Sequence, residues 1–170
     1  MRPPVPLTAL SAAQLAGGVV AVEHHIRAEY AWDAGMAIGE FLHGLRQGRI
    51  MGTACRGCGR VLLPPRMFCE ECFRPVDAFV ELPATGTVRS FSVCSVAWDL
   101  RPLTEPELPA VIELAPGAAL LHRLGGIAAG EARLGMPVAA VWRPRAERQG
   151  SVLDIVHWAP LGTVPAAGAR

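Results

Sequence analysis

Lysine is absent from this sequence of 170 residues, because all sixteen basic residues are arginine. Chemistry through a lysine Schiff base is therefore excluded. The net charge at pH 7 is only +1, and aromatic side chains make up 6% of the chain. A nearly balanced charge gives no long-range attraction to nucleic acid or to anionic lipid. Composition alone therefore points away from an electrostatically driven binding protein.

The sequence also lacks the motifs of common enzyme classes. It has no phosphate-binding loop, no dinucleotide-binding fingerprint and no G-x-S-x-G nucleophile turn. Three histidines, His43, His122 and His157, have no carboxylate or nucleophile at the spacing of a catalytic motif. We therefore expect no catalytic residues in this chain.

The longest uncharged run, residues 3–22, contains three prolines and is too weakly apolar to predict a membrane span. Arg2 before this run leaves a signal peptide as an alternative. A thiol cluster further along the chain favours the reducing cytoplasm instead. We interpret residues 1–29 as an N-terminal extension, and the pair His24-His25 within it as two surface imidazoles.

Four of the five cysteines form two C-x-x-C pairs: Cys55, Cys58, Cys69 and Cys72. Two such turns facing each other make a tetrahedral thiolate cage, which suits Zn²⁺ with sulfur at about 2.3 Å. Four protein ligands leave no open position, so the predicted zinc is structural. Iron, a redox dithiol pair and a disulfide framework are the alternatives. The fifth cysteine, Cys94, is interpreted as a buried structural residue.

The residues around the two turns predict their conformations. Gly57 and Gly59 relieve crowding in the first turn, where backbone N–H groups approach the sulfurs. The second turn contains no glycine, and we expect an ordinary backbone conformation there. Pro64-Pro65 stiffens the connector between the turns.

A helix is predicted from a cap at Asp33 to about Gln47, with Gly48 as its C-terminal stop. An apolar stripe follows the helical spacing. Its members are Ile38, Phe41, Leu42 and Leu45. Three glycines, Gly35, Gly39 and Gly44, weaken the helix by about 1 kcal/mol each relative to alanine, so it should need a surface to pack against.

After the two cysteine pairs and the segment around them, which we call the zinc ribbon, short apolar segments separated by turn residues predict an all-β domain. The first strand carries a phase slip near Arg89-Ser90, which indicates a bulge. The predicted order is a strand at 87–96, a Pro-rich loop at 99–109, a hairpin of 110–114 and 119–124, a crossover at 125–137, and strands at 138–142 and 152–158. Five strands, three before a crossover and two after it, suit an OB-type barrel.

The predicted architecture is mainly β, with a helical arm, a rubredoxin-like zinc ribbon and a five-stranded OB barrel. The predicted boundaries are 1–29 for the N-terminal extension, 30–52 for the arm, 53–82 for the ribbon, 83–160 for the OB domain and 161–170 for a C-terminal tail.

Together these segments resemble a known family that joins a rubredoxin-like zinc ribbon to an OB fold and is associated with acyl-CoA metabolism. Its members were long catalogued as a domain of unknown function. The matching segments are Trp32–Gly35 and Phe41–Gly52 in the arm, Cys55–Gly59, Pro64–Arg66 and Cys69–Cys72 in the ribbon, and Gly86–Val88, Pro109–Leu114 and Leu134–Val138 in the barrel.

The resemblance implies a non-catalytic subunit of a thiolase-superfamily enzyme that acts on acyl-CoA substrates. Such partners include thiolases, C-acyltransferases and the thiolase-like aldolases of steroid side-chain degradation, and the partner holds the catalytic residues. Some family members accompany enoyl-CoA hydratases instead, which is the alternative partner. The resemblance also implies a 2:2 assembly.

Two sets of residues are candidates for contacts in such a complex. Trp32 and Phe41 on the arm are candidate aromatic anchors for the partner, since buried aromatics often dominate interface energies. CoA phosphates favour bidentate arginine contacts. Arg66, Arg89 and Arg101, near the predicted ribbon–barrel junction, are the candidates for that role.

A different class of function is single-stranded nucleic-acid binding, which OB folds with zinc ribbons also perform. It requires a basic groove with stacking aromatics. Phe91, Trp98, Trp142 and Trp158 could line such a face, but barrel core and interface positions explain them as well. Because the charge is balanced and aromatics are few, we expect no nucleic-acid partner.

Overall fold

The computed structural model describes residues 27–97 and 99–163, and the chain divides into two units, Met1–Asp33 and Ala34–Arg170. In the first unit, the described residues are exposed and form no helix or strand. The rings of Tyr30 and Trp32 lie 6.0 Å apart there. The predictions for His24-His25 and for Trp98 fall outside the described residues.

The described part of the second unit contains one α-helix, α1 (Gly35–Gln47), and eleven β-strands. In chain order the strands are β1 (Ile50–Ala54), β2 (Val61–Leu62), β3 (Phe68–Cys69), β4 (Arg74–Pro75), β5 (Ala78–Leu82), β6 (Thr85–Phe91), β7 (Cys94–Val96), β8 (Pro102–Ala115), β9 (Ala118–Leu124), β10 (Pro137–Trp142) and β11 (Ile155–Pro160). Short 3₁₀ helices span Ala129–Glu131, Arg145–Glu147 and Val152–Asp154. None of the helices described is long and apolar enough to cross a bilayer.

Helix α1 ends where the sequence predicts and begins later than predicted. Gly48 has φ of 81°, and its N–H bonds to the carbonyls of Gly44 and Leu45, which is a left-handed end that glycine adopts without strain. The predicted Asp33 cap is wrong, because the N-cap is Ala34, which has no side chain able to accept a hydrogen bond.

The buried face of α1 differs in part from the predicted stripe. Phe41 and Leu45 are buried as predicted, but Ile38 is exposed and Ala37 is buried in its place. Gly44 is also buried, and a Cβ built there would lie 2.6 Å from Cγ of Met51. The close approach of α1 to β1 at Gly44 turns the helix so that positions 37, 41, 44 and 45 face inward.

The ribbon is a three-stranded antiparallel sheet of order β2-β1-β5, together with the small β3–β4 hairpin. Strand β1 pairs with β5 along its whole length, from Ile50 opposite Leu82 to Ala54 opposite Ala78. The chain therefore enters the ribbon along β1 and leaves it along the neighbouring strand β5. The predicted boundary at residues 52/53 falls inside β1.

Strands β6, β8, β9, β10 and β11 form a closed five-stranded barrel, which confirms the predicted fold. The sheet order is β6-β10-β11-β9-β8, and an additional β6–β8 pairing closes the ring. All the pairings are antiparallel except β9–β11, which is parallel and has one registered position, Trp158 opposite Leu124. This arrangement is the Greek-key barrel of an OB fold.

The first barrel strand is interrupted where a single long strand was predicted. The predicted bulge is confirmed by a register shift between Val88 and Ser90 in the pairing of β6 with β8. The predicted strand 87–96 is nevertheless wrong as one element, since β6 ends at Phe91 and β7 begins at Cys94. The bulge increases the local twist of β6, and the pairing of β6 with β8 ends soon after it.

The predicted Pro-rich loop at 99–109 is wrong, because β8 already begins at Pro102. Residues Pro102–Glu107 pair with β7, and the registered pairing with β9 begins only at Leu108. The early part of β8 is therefore an edge segment, and proline is tolerated in edge strands, where a missing N–H breaks no ladder.

The last strand also begins later than predicted. Residues Val152–Asp154 form a 3₁₀ turn, and β11 starts at Ile155. Ser151 caps this turn by accepting a hydrogen bond from the N–H of Leu153. The pattern Ser-x-x-Asp at 151–154 is a capping box, a signal that competes with the apolar strand pattern.

One apolar core joins α1, the ribbon strands and the barrel. Phe41, Leu45, Ile50 and Leu82 belong to the same buried cluster as the barrel residues, including Trp158. Phe91 and Trp142 pack partly buried against that cluster. The described members of the predicted aromatic face are therefore occupied in or against the core.

Candidate metal centre

The four predicted metal ligands come together in the ribbon. The Sγ atoms of Cys55, Cys58, Cys69 and Cys72 all lie within 4.8 Å of one another. Sγ of Cys55 lies 3.2 Å from that of Cys72, and Sγ of Cys58 lies 3.6 Å from that of Cys69. A tetrahedral Zn²⁺ with sulfur at about 2.3 Å places its ligands about 3.8 Å apart. The donor set and its spacing fit a structural zinc ion.

Two equivalent turns hold these ligands. In the first, the N–H of Gly59 donates to the carbonyl of Cys55 at 2.8 Å, and in the second, the N–H of Phe73 donates to the carbonyl of Cys69 at 2.9 Å. Both closing residues are left-handed, with φ of 75° at Gly59 and 52° at Phe73. The expectation of an ordinary conformation holds for residues 69–72, none of which has a positive φ, and the left-handed residue is the one that follows them. The two turns share a geometry, and only one uses glycine for it.

The predicted relief of crowding is confirmed at Gly57 and is wrong at Gly59, where a Cβ would meet nothing within 4 Å and the need for glycine comes from the backbone angle. Gly59 adopts the positive φ, and a Cβ built at Gly57 would lie 3.3 Å from Sγ of Cys72. A side chain at residue 57 would crowd the sulfur cluster. The approach of the two turns thus depends on a small residue there.

Thr53 is a supporting residue that the sequence analysis missed. Its hydroxyl donates to the carbonyl of Arg66 at 2.9 Å and accepts from the Arg66 N–H at 3.1 Å. The Thr53 side chain is fully buried. These two bonds fix the connector after Pro64-Pro65 to β1, three residues before the second turn begins. A buried threonine in a short strand gave no signal distinguishing it from an ordinary strand residue.

Crowding of the four sulfurs separates their acidities. Hydrogen bonding, first from the backbone of Cys58 and then from Cys72, lowers the pKa of Cys55 to about 6. The thiol contact with Cys55 raises the pKa of Cys72 to about 12. Four thiolates at this spacing require a cation, and a bound divalent metal holds all such ligands deprotonated.

The three arginines predicted to contact CoA are each paired with a carboxylate. Arg66 lies 3.3 Å from Glu70, and Arg89 lies 3.4 Å from Glu113. Arg101 pairs with Asp99. They lie on the ribbon connector, on β6 and on the loop before β8. A contact between any of them and a CoA phosphate would replace its ion pair with a carboxylate.

The remaining reactive side chains do not form a catalytic group within the described residues. Cys94 is half-buried at the start of β7, so the prediction that it is buried is wrong. His43 bonds to Gln47 at 2.7 Å, and Nε2 of His122 lies 3.3 Å from the carbonyl of Val152. No described carboxylate lies in hydrogen-bond contact with His43, His122 or His157.

Two family descriptions match the chain in succession. Residues 42–77 match the ChsH2 rubredoxin-like zinc ribbon domain, and residues 79–143 match the ChsH2 C-terminal OB-fold domain. The first covers the metal centre, and the second covers the barrel up to the end of β10. The two matches follow each other as the ribbon and barrel do in the structure.

Curated relatives share the same region. A DUF35 domain-containing scaffold protein of Methanocaldococcus jannaschii is 29% identical over 109 residues, 64% of this chain and 77% of that protein. A probable enoyl-CoA hydratase alpha subunit of Thermomonospora curvata is 33% identical over 98 residues, 57% of this chain. The match spans only 30% of that hydratase subunit.

Solved structures show the same fold. A DUF35-family protein of unknown function from Sulfolobus solfataricus has a TM-score of 0.54 and 28% identity, over 63% of this chain and 78% of that one. A chain from the structure described as the Ltp2-ChsH2(DUF35) aldolase has a TM-score of 0.55 and 25% identity. That match covers 79% of this chain and 98% of the other.

Proposed function

This chain belongs to the DUF35 family, whose members join a ChsH2-type rubredoxin-like zinc ribbon to an OB fold, and we propose that it is a zinc-binding accessory subunit of a thiolase-superfamily enzyme. The proposed enzyme acts on acyl-CoA substrates, as a thiolase, a C-acyltransferase or a thiolase-like aldolase of steroid side-chain degradation. The proposed assembly contains two copies of each chain.

The observation that carries this proposal is the extent of the match to the Ltp2-ChsH2(DUF35) aldolase. Nearly the whole of that chain, 98%, aligns with 79% of this one. A likeness over helix, ribbon and barrel together supports a shared role more strongly than a common OB fold, which hosts many functions.

The side chains described support a non-catalytic role for this subunit. A four-thiolate zinc site has no open coordination position for a substrate or water. Zinc bound by Cys55, Cys58, Cys69 and Cys72 would hold the ribbon's shape. Because four free thiolates persist in a reducing compartment, we also propose that the protein works in the cytoplasm.

We propose that the docking contacts lie in the residues that precede α1. Phe41 is 2% exposed and lies in the chain's own core, so it is not available as an anchor. Trp32 is 81% exposed beside the equally exposed Tyr30. We therefore propose this aromatic pair as the contact that the partner buries. CoA contacts through Arg66, Arg89 and Arg101 stay a prediction.

Co-expression with a thiolase-fold subunit from the same organism tests the proposal. We expect the two chains to co-purify at a 2:2 mass, with acyl-CoA turnover only when both are present. Trp32→Ala should weaken the complex at least about tenfold, as expected of a buried aromatic anchor. Leu134→Ala is the matched control, because it truncates an exposed apolar side chain in the connection between β9 and β10, away from the proposed contact in sequence. Turnover by this chain alone would refute the accessory role.

The similarity to an enoyl-CoA hydratase alpha subunit favours a second candidate. In that case the partner would be an enoyl-CoA hydratase subunit, and the reaction would be addition of water. The same co-expression experiment, run with a hydratase subunit of the same organism, separates the two. A complex with the hydratase and none with the thiolase-fold subunit would replace the first proposal.

A further inference from the structure

A basic groove with an apolar wall opens on the barrel between β9 and the segment that links β10 to β11. It encloses about 370 Å³. Its lining residues are Leu121, His122, Arg123, Arg143, Val152, Leu153, Ile155 and Val156. In an OB fold, this position corresponds to the third strand and the loop between the fourth and fifth strands, which is the usual ligand-binding face. A volume of a few hundred cubic ångströms is typical of a small-molecule site.

The groove exists because β9 and β11 diverge beyond their one registered pair. Arginine side chains bond to two main-chain carbonyls on this side, one in β11 and one in the 3₁₀ turn before it. Nε of Arg123 donates to the carbonyl of Val156 at 2.9 Å, and Nε of Arg143 donates to that of Leu153 at 3.0 Å. Each guanidinium is thus held by its Nε atom, and its terminal nitrogens are left for another acceptor.

Neither guanidinium lies within 4.0 Å of a carboxylate in the described part of the chain, in contrast to Arg66, Arg89 and Arg101. The carboxylate of Asp154 is buried and accepts hydrogen bonds from three backbone N–H groups. Glu105 and Glu107 line an adjacent groove that also includes Arg123. The two guanidiniums therefore form no direct ion pair, although the charge of Arg143 acts on Asp154 and two glutamates lie near Arg123.

His122 lines the groove and His157 lines the adjacent groove with Arg123, and both add hydrogen-bonding atoms rather than further charge. Burial is the main cause that lowers the pKa of His122, and the same cause lowers that of His157 beside Arg123. Nδ1 of His122 is buried without a hydrogen-bond partner. That atom is enclosed by the protein, so polar contacts with a ligand in the groove rest on the two guanidiniums.

The opposite wall is apolar and open to solvent. Leu121 and Leu153 are 71% and 64% exposed, and Val152 is also exposed. Three aliphatic side chains around two oriented guanidiniums suit a ligand with an anionic head and an apolar arm. A phosphate group matches the guanidinium fork through paired N–H donors.

We propose that this groove binds a small phosphate-bearing ligand whose apolar arm lies against Leu121, Val152 and Leu153. Arg123 and Arg143 hold the phosphate. The site is complete within this chain, so it does not depend on the proposed partner.

The test uses the full chain with zinc and three probes, which are hexyl phosphate, inorganic phosphate and hexanol, followed by calorimetry and by the imidazole NMR signals of His122 and His157. We expect hexyl phosphate to bind at least about tenfold more tightly than inorganic phosphate, because the arm buries apolar surface, and hexanol to bind more weakly than either. Absence of hexyl phosphate binding, or equal binding of all three probes, would refute the site.

Matched variants locate the binding. Arg123→Gln and Arg143→Gln should each weaken hexyl phosphate binding about tenfold, as loss of a charge-assisted contact implies. Arg145→Gln removes the same charge from the same loop without lining the groove, and should leave binding unchanged. An equal loss in Arg145→Gln would show diffuse attraction and overturn the proposal.

A further variant tests the apolar wall without disturbing the fold. Leu121→Ser changes an exposed side chain, so the melting temperature should stay the same. The preference for hexyl phosphate over inorganic phosphate should fall by about twofold or more, because one of the three apolar side chains of the wall is lost. If the preference persists, the arm lies elsewhere and the proposed groove is wrong.

Discussion

At Phe73, a bulky aromatic residue occupies the backbone conformation that the equivalent position of the first turn gives to Gly59. Left-handed geometry costs about 1–2 kcal/mol for a residue with a Cβ. The side chain is 76% exposed and has one described aromatic neighbour, Phe68, with ring centroids 5.9 Å apart. The contact with Phe68 therefore compensates for only part of the energy of the backbone strain.

Phe73→Gly should therefore raise the free energy of unfolding of the zinc-loaded protein by about 1 kcal/mol, because glycine removes the strain. Urea denaturation followed by circular dichroism measures the change. Gly59→Ala is the reverse control and should lower stability by a similar amount. A less stable Phe73→Gly variant would mean that the Phe68 contact outweighs the strain.

Asp154 stabilises the loop before β11. It is 2% exposed, and its carboxylate accepts from the N–H groups of Gln149, Gly150 and Ser151 at 3.0, 2.8 and 3.1 Å. Burial raises the pKa of Asp154, but these three bonds and the nearby Arg143 outweigh it, so the pKa is lowered overall from 3.8. Since the folded pKa is the lower one, the stabilisation is present above about pH 4 and is lost as the pH falls through the folded value.

Asp154→Asn should lower the free energy of unfolding at pH 7 by about 1–3 kcal/mol, because the amide replaces one accepting oxygen with a donor. The gap between variant and wild type should shrink as the pH falls below about 4, because Asp154 is protonated first in the unfolded chain and then, at lower pH, in the folded protein. Chemical denaturation at pH 7 and pH 3 measures both. Glu147→Gln in the same loop is the control, and a pH-independent gap would contradict the proposed role of the carboxylate charge.

The sequence predicted the metal ligands because their spacing is a geometric requirement of the site itself. Cys55, Cys58, Cys69 and Cys72 are recognisable without knowledge of the fold. Thr53 and Phe73 were not predictable in the same way. Their roles depend on contacts with a connector and on one backbone angle, and neither leaves a pattern in the sequence.

Among the elements, α1 shows that a helical glycine has two opposite effects. A Cβ at Gly39 would meet nothing within 4 Å, whereas one at Gly44 would lie 2.6 Å from Cγ of Met51 and 3.0 Å from the carbonyl oxygen of Arg49. Helix propensity favours alanine at both positions by about 1 kcal/mol. Packing around each position therefore decides whether alanine there stabilises or destabilises the protein.

Gly39→Ala should raise the free energy of unfolding by about 0.5–1 kcal/mol. Gly44→Ala should lower it by about 1–3 kcal/mol, because the added methyl forces α1 away from β1. Thermal and urea unfolding of the two variants provide the comparison, and each serves as the control for the other. Equal stabilisation by both would show that Met51 moves aside without loss.

Element boundaries were the part of the fold that the sequence predicted least well. The prolines of 102–109 indicated a loop, but an edge segment accepts them, and that status depends on which strands lie beside it. The start of β11 was also misplaced, because the capping pattern at Ser151 and Asp154 competes with the apolar residues between them. Strand number and barrel topology were predicted correctly, since turn residues and a crossover constrain them more strongly.

At the scale of the whole molecule, β1 and β5 connect the metal centre to the barrel, whereas Cys55 and Cys69 lie in a separate buried cluster with Leu62 and Val76. Strands β1 and β5 supply Ile50 and Leu82 to the same buried cluster that contains Trp158. These two strands are also the stem of the ribbon. Loss of the metal should therefore be transmitted to the barrel along the stem.

Removal of zinc by a chelator should lower the melting temperature of the barrel, which the NMR signal of the Trp158 indole N–H reports. The reason is that structural zinc contributes roughly 10–16 kcal/mol of apparent binding energy in small zinc peptides. Cys69→Ser should have the same effect, and added zinc should restore the wild-type protein but not the variant. Elemental analysis should give one zinc per chain. A barrel transition unchanged by chelation would show that the ribbon unfolds independently.

The single registered position between β9 and β11 has a consequence for how the barrel moves. Trp158 opposite Leu124 and the bond from the Gly125 N–H to the Trp158 carbonyl, 2.9 Å, are the backbone links described across this parallel seam. The antiparallel β8–β9 ladder has seven registered positions. Local opening follows the weakest hydrogen-bonded boundary, so the Gly125 amide should exchange with deuterium faster than the amide of Ile112 in mid-ladder. The barrel is therefore expected to open locally along the β9–β11 seam before the β8–β9 ladder separates.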